Sequence, residues 1–138
     1  MKRTKTKYII QGILWTLLVV FVLSCESEQR PEPIEADLPA VVSFSEHIIP
    51  ILEGTSEGII LTGRGRACTD CHNGSIPPDL TSENAYIELS AGGFIDVGDP
   101  ENSKLYQKIE ESGSMYKYTN NVDIAYVLEW INQGALEN

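Results

Sequence analysis

Two of the three cysteines in this 138-residue chain lie inside one pentapeptide, "CTDCH", running from Cys68 to His72. No other stretch restricts the fold so strongly. Two thiols with two residues between them, followed at once by an imidazole, suit three chemistries: a dithiol redox couple, a zinc site, or a covalently attached haem. A redox couple wants its CxxC at the start of a helix that follows a buried strand. The residues before Cys68 read "LTGRGRA", glycine and arginine rather than strand. Zinc wants four convergent ligands. The candidates are Cys68, Cys71, His72 and His47, the one histidine outside the motif. Adjacent Cys71 and His72 are poorly placed to chelate one tetrahedral ion, and the chain has no second CxxC or HxxxH pair. C-x-x-C-H is also the c-type attachment sequence. In that reading Cys68 and Cys71 form thioethers to one haem c, and His72 donates a nitrogen to its iron.

Attachment of that kind takes place outside the cytoplasm, and residues 1–25 read as an export signal. "MKRTKTK" is a positive n-region, and "YIIQGILWTLLVVFVL" is a largely apolar run of 16, short for a membrane span. It ends in "VLSC", which resembles a bacterial lipobox with Cys25 as the lipidated first residue of the mature protein. An anchored Cys25 leaves Cys68 and Cys71 as a lone pair. Lys2, Arg3, Lys5 and Lys7 depart with the signal, so 6 of the 10 basic residues remain against all 20 acidic ones, a net charge of −14. Nucleic acid and anionic lipid surfaces are poor partners for such a chain. Residues 26–42 are acidic and contain three prolines without an apolar period, which reads as an extended tether. At ~3 Å per residue it spans ~50 Å. The expected domain is therefore 43–138.

Within that domain the periodicity predicts four or five short helices and almost no strand. "SFSEHIIPILEG" has Ser43 or Ser45 as N-cap, Phe44, Ile48, Ile51 and Leu52 at helical spacing, Gly54 as a stop, and Pro50 limiting or bending it. The glycine-rich stretch 54–66 reads as loop. "TSENAYIELSAGG" is a helix with Thr81 as cap, and "GDPENSKLYQKIEESG" another with Asp99 as N-cap and Pro100 at the first helical position. "SGSMYKYTN" is loop. "NVDIAYVLEWINQGA" is the strongest helix, with Ile124, Val127, Leu128 and Ile131 on one side. Short helices joined by long loops need a central organiser, and a haem would be one.

An iron held by His72 needs a sixth ligand. Beyond the initiator the only methionine is Met115, in the loop before the last helix and 43 residues after His72. His47 is the alternative, although a histidine beside Ile48 on a helix is ordinarily solvated or packed in a core.

These residues resemble a known family. "CTDCH", a late loop methionine and a terminal amphipathic helix are similar to the small single-haem (class I) cytochromes c. "VSFSEHIIPIL", "PDLTSENAY", "DPENSKLYQKI" and "YVLEWINQGA" resemble, more closely, the cytochrome c domain of envelope lipoproteins in Bacteroidota and Planctomycetes. The resemblance covers about residues 41–138. It implies an all-α haem fold with first and last helices crossing, attachment at Cys68 and Cys71, His72 as proximal and Met115 as distal ligand. It also implies a proline carbonyl, from Pro77 or Pro78, receiving the His72 N–H. Two departures stand out: the chain reads "SMYKYT" where the family often has Met-Pro, and stretch 54–66 is longer than usual. Arg64 and Arg66 within that stretch are solvated or pair with haem propionates.

The expected function is a membrane-tethered electron carrier of the cell envelope, on the periplasmic side or the outer-membrane surface, serving redox proteins with basic docking patches. The expectation is no enzyme and no substrate chemistry. The alternatives are a haem enzyme or a gas or peroxide sensor with an open sixth site, and an electron-entry subunit of a larger complex.

Overall fold

The computed structural model describes residues 37–138. The signal segment, the lipobox Cys25 and the tether up to residue 36 lie outside the described residues. Those described form five α-helices and no strand, an all-α arrangement as expected. We number the helices α1 (Ile49–Glu53), α2 (Glu57–Thr62), α3 (Ala85–Ala91), α4 (Lys104–Ile109) and α5 (Asn121–Asn132).

The opening segment starts where the sequence places it. The Ser43 side chain accepts from the Glu46 N–H, and a π-helical turn, Phe44–Ile48, runs directly into α1. Pro50 explains the change of register: it has no N–H to donate into the α ladder, so the looser turn lies just before it. Gly54 then closes α1 with φ 74, and a Cβ there would come within 2.6 Å of the Ala67 nitrogen. That close approach seats the run-up to Cys68 against the end of α1.

Stretch 54–66 is not all loop. Ser56 caps α2 by accepting from the Ile59 N–H, and Gly63 ends it in the left-handed region. Gly58 obscured this helix in the sequence, being a poor helix former. It is required because a Cβ would collide with the Asp123 and Asn120 side chains. The second expected helix starts later, at Ala85, with Thr81 contributing its carbonyl rather than its hydroxyl to the Asn84 and Ala85 N–H groups. The third is broken in two. Pro100–Asn102 is a 3-10 turn, and buried Ser103 turns extended before α4 begins. The Ser103 hydroxyl accepts from the Asp96 N–H at 2.8 Å, a tertiary tie that outweighs helical continuity.

The core lies between the opening segment and α5. Phe44, Ile48, Ile51 and Leu52 meet Leu80, Ala85, Leu89 and Leu105, with Val127, Trp130 and Ile131 on the other side. Phe44 sits edge-on to Tyr86 at 5.3 Å between ring centroids and tilted against Trp130 at 5.2 Å. The buried stripe of α5 is thus Val127, Trp130 and Ile131, while Ile124 and Leu128, expected in the core, are only half-buried. Trp130 decides this by inserting under Phe44 and donating its indole N–H to the Leu136 carbonyl at 2.9 Å. The chain end returns to the start: the Asn138 side chain accepts from the Phe44 N–H, and the Val42 N–H donates to Gln133. Val42 itself is buried, so packing begins just ahead of residue 43.

Candidate functional site

The motif forms a single tight turn. Cys68–Asp70 is 3-10 helical, and the Cys71 and His72 N–H groups both donate to the Cys68 carbonyl. Folding four residues onto one carbonyl places both thiols and the imidazole on one short turn. The far end is pinned by the Leu80 N–H donating to the His72 carbonyl at 2.8 Å, and Leu80 is in the core. Both thiols are free. Cys68 is half-buried and packs on the core, whereas Cys71 is exposed.

Burial pushes the Cys68 thiol up to about 11, and the charge of Asp123 adds to the effect. A dithiol oxidoreductase needs the reverse, a thiol pulled down toward neutrality so that thiolate is present to attack. Among the described residues, no three His, Cys, Asp or Glu side chains gather as a metal-holding group.

The His72 ring is oriented by its own loop. Nδ1 lies 3.1 Å from the Ile76 carbonyl. As a donor to that oxygen, Nδ1 carries the proton and Nε2 keeps its lone pair available to a metal. The acceptor expected from the resemblance was Pro77 or Pro78. The loop turns one residue earlier, so Ile76 supplies the carbonyl instead.

Met115 lies at the start of the 3-10 turn Tyr116–Tyr118 and is partly exposed. Its backbone is held firmly: the Met115 N–H donates to the Lys108 carbonyl at 2.7 Å, and the Tyr118 N–H donates to the Met115 carbonyl at 2.9 Å. This turn is stitched to the motif's leading edge. The Arg66 N–H donates to the Tyr118 carbonyl at 3.2 Å, and Asn120 donates to the Arg64 carbonyl at 3.0 Å. Segments about fifty residues apart in sequence are thereby neighbours. Arg64 and Arg66 stand over the Tyr116 and Tyr118 rings at 5.1 and 5.5 Å, and Arg66 pairs with Asp70 at 2.8 Å. Both arginines are solvent-exposed, as one of the two expectations had them, and their contacts with Tyr116, Tyr118 and Asp70 help brace the two loops.

His47 is occupied elsewhere. Its Nδ1 accepts from the Ser43 N–H at 2.9 Å, and its ring stacks on Tyr126 at 5.4 Å. It belongs to the N-terminal cap of the opening segment and to a separate cleft.

The donor set fits a haem. It comprises two free thiols on one turn, an imidazole with its Nε2 unclaimed, and a thioether on an adjoining anchored loop. Ile76, whose carbonyl orients the His72 ring, also leaves its apolar side chain exposed. What sequence reasoning missed is Asp123, 2% exposed on the first turn of α5, with Oδ1 lacking any partner. The one available signal was an acidic residue three after the Asn120 cap. No protein-family model, curated protein or solved structure matches this chain.

Proposed function

We propose that the chain is a single-haem c-type cytochrome domain, carrying electrons one at a time while tethered to the cell envelope. The observation that carries the reading is the His72 ring, directed by the Ile76 carbonyl so that Nε2 is left as a metal donor immediately after two free thiols. A bound haem supplies one-electron chemistry between its ferric and ferrous states. The protein's part is to hold and tune it. Cys68 and Cys71 are the attachment points, and the high thiol of Cys68 leaves it idle as a redox nucleophile. His72 is the proximal ligand, sharpened as a donor by its second-shell carbonyl. Met115 is the distal ligand, because its backbone is fixed next to the motif's flank while His47 is committed to Ser43 and Tyr126. A His/Met pair favours a raised potential.

The lipobox reading of Cys25 and the acidic tether complete the picture of a carrier on a leash. A net charge of −14 after processing favours partners with basic patches. The intact mass of the chain, matured in a host able to assemble c-type haem, tests both ends at once. It should show one haem that survives acid–acetone, and acyl groups on Cys25. A mass equal to the bare polypeptide would end the proposal.

A further inference from the structure

Asp123 is the only acidic side chain buried among the described residues. Its Oδ2 accepts from Asn120 Nδ2 at 2.7 Å, while Oδ1 has no hydrogen-bond partner. Gly58 lets it fit there: a Cβ at that position would collide with the carboxylate, so α2 closes over it. A buried carboxylate oxygen without a donor favours the neutral, protonated form. Desolvation accordingly holds the carboxyl above its usual range, against the pull of Ser56 and Asn120.

Asn120 connects this group to the attachment turn. Its Nδ2 also donates to the Arg64 carbonyl at 3.0 Å, and its Oδ1 accepts from the Asp123 N–H at 2.9 Å. One amide therefore ties the carboxylate to the segment that leads into Cys68. Cys68 packs on the core, and after burial the Asp123 charge is the largest cause holding its thiol high. The other ionisable groups around the carboxyl are Glu57 on α2, Glu46 and His47 on the opening segment, and Tyr126 on α5. With Ser56 and Asp123 they line a cleft of about 320 Å³. No lysine or arginine pairs with Asp123. Arg64 offers only its carbonyl, its guanidinium standing over Tyr116 at 5.1 Å, and the one ion pair among the described residues is Arg66–Asp70.

We propose that Asp123 takes up a proton as the haem iron is reduced, so that the carrier moves a proton with its electron. The inference rests on the single-haem reading. One electron comes from the redox protein that reduces the carrier, and one proton comes from solvent by way of the cleft and the Ser56 hydroxyl. Asp123 passes from carboxylate to acid, and the charge of the domain stays the same. The ferric form carries one more positive charge than the ferrous form, and that charge favours the carboxylate. Asp123 consequently holds its proton more tightly in the ferrous state. By reciprocity, the proton raises the affinity for the electron by the same factor.

The test is the reduction potential of the full-length haem-loaded chain in neutral detergent micelles, followed upward from about pH 4, the ordinary carboxylate range. The potential should fall as pH rises through the folded carboxyl's window and then level off. The whole step should match about a tenfold difference in proton affinity between the two redox states, or about 59 mV for one electron. Asp123→Asn keeps the shape and removes the charge, so it should flatten the step and stay near the parent's acid-limb potential throughout. His47→Ala and Glu57→Gln, on the same cleft, should keep the step. A second measurement needs no variant. With aspartate carrying carbon-13 at its side-chain carboxyl, the reduced-minus-oxidised infrared spectrum within the step should show an acid carbonyl band that moves on labelling. Haem propionates and glutamates are blind to that label. A potential flat across the range, a step that survives Asp123→Asn, or an acid band that ignores the label would each overturn the proposal. Failure of the carrier reading looks different: the intact mass shows no covalent haem, there is no potential to titrate, and both fall together.

Discussion

The two ends of α5 face different surroundings. Around Trp130 the chain is self-sufficient: three aromatic rings interlock, Ile48, Leu89 and Ile131 are wholly buried, and the residues on either side of the domain are tied to each other through Asn138 and Gln133. Around the motif little is buried. Cys71, Ile76, Met115 and Tyr118 are exposed, and the loops are held by backbone hydrogen bonds and arginine–tyrosine contacts rather than by a core. A conventional hydrophobic core stabilises the first region. The second has free donors, braced loops and exposed apolar side chains, the features on which the proposed haem would draw.

The largest test of that contrast removes the attachment points. Cys68→Ala with Cys71→Ala should yield protein from which acid–acetone extracts all haem. Hydrogen exchange should then show lost protection at the Arg66 and Tyr118 amides while that of α5 near Trp130 persists. Covalent haem in the double variant, or uniform loss of protection, would erase the distinction between the two regions.

Trp130→Ala strikes the other region. Truncating a fully buried tryptophan that packs on Phe44 and donates to Leu136 should cost about 3–5 kcal/mol in denaturant unfolding. The spectrum of attached haem should change little below the unfolding transition. A variant as stable as the parent would mean the Phe44–Trp130 cluster is not the foundation of the fold.

Met115→Ala should open the sixth position without unfolding anything: a high-spin or water-ligated ferric form, a lower potential within the ~0.8 V span that axial ligands command, and fast CO binding when ferrous. His47→Ala should leave all three readings alone and instead loosen the Ser43 turn. The opposite pattern would move the distal ligand to His47 and the site with it. If neither variant changes an already five-coordinate spectrum, the open-site enzyme or sensor becomes the better account.

The smallest effect is electrostatic. Burial raises the Asp123 carboxyl, so between its ordinary range near pH 4 and its folded value the native state holds more proton than the unfolded chain. Stability from this group therefore falls as pH rises through that window, and it is lowest once the carboxyl is ionised. Asp123→Asn should remove that slope, so its thermal midpoint should gain on the parent from pH 4 toward neutrality. A parallel pair of curves would place Asp123 in water rather than in the interior.

Several features could be read from residues close together in the chain. The CxxCH turn needs only its own five positions, the Asn120 cap and the α5 run need only neighbours along one helix, and Gly54 and Gly63 end helices through their own φ freedom. Helical class and the candidate donors Cys68, Cys71, His72 and Met115 follow from such local signals. Other features depend on what lies across the fold. Gly58 hides α2 until Asp123 is seen against it, and Ser103 breaks a plausible helix because Asp96 claims its hydroxyl. Trp130 rotates the buried stripe of α5 away from Ile124 and Leu128 because Phe44 is there to meet it. The partner of His72, the bracing role of Arg64 and Arg66 and the acidic cleft below Tyr126 likewise arise where distant segments meet. Caps and spacings are settled by hydrogen bonds within a few residues, which a sequence displays. Burial, and with it the perturbed chemistry of Cys68 and Asp123, is a property of the surrounding volume, and only the tertiary structure determines what fills it.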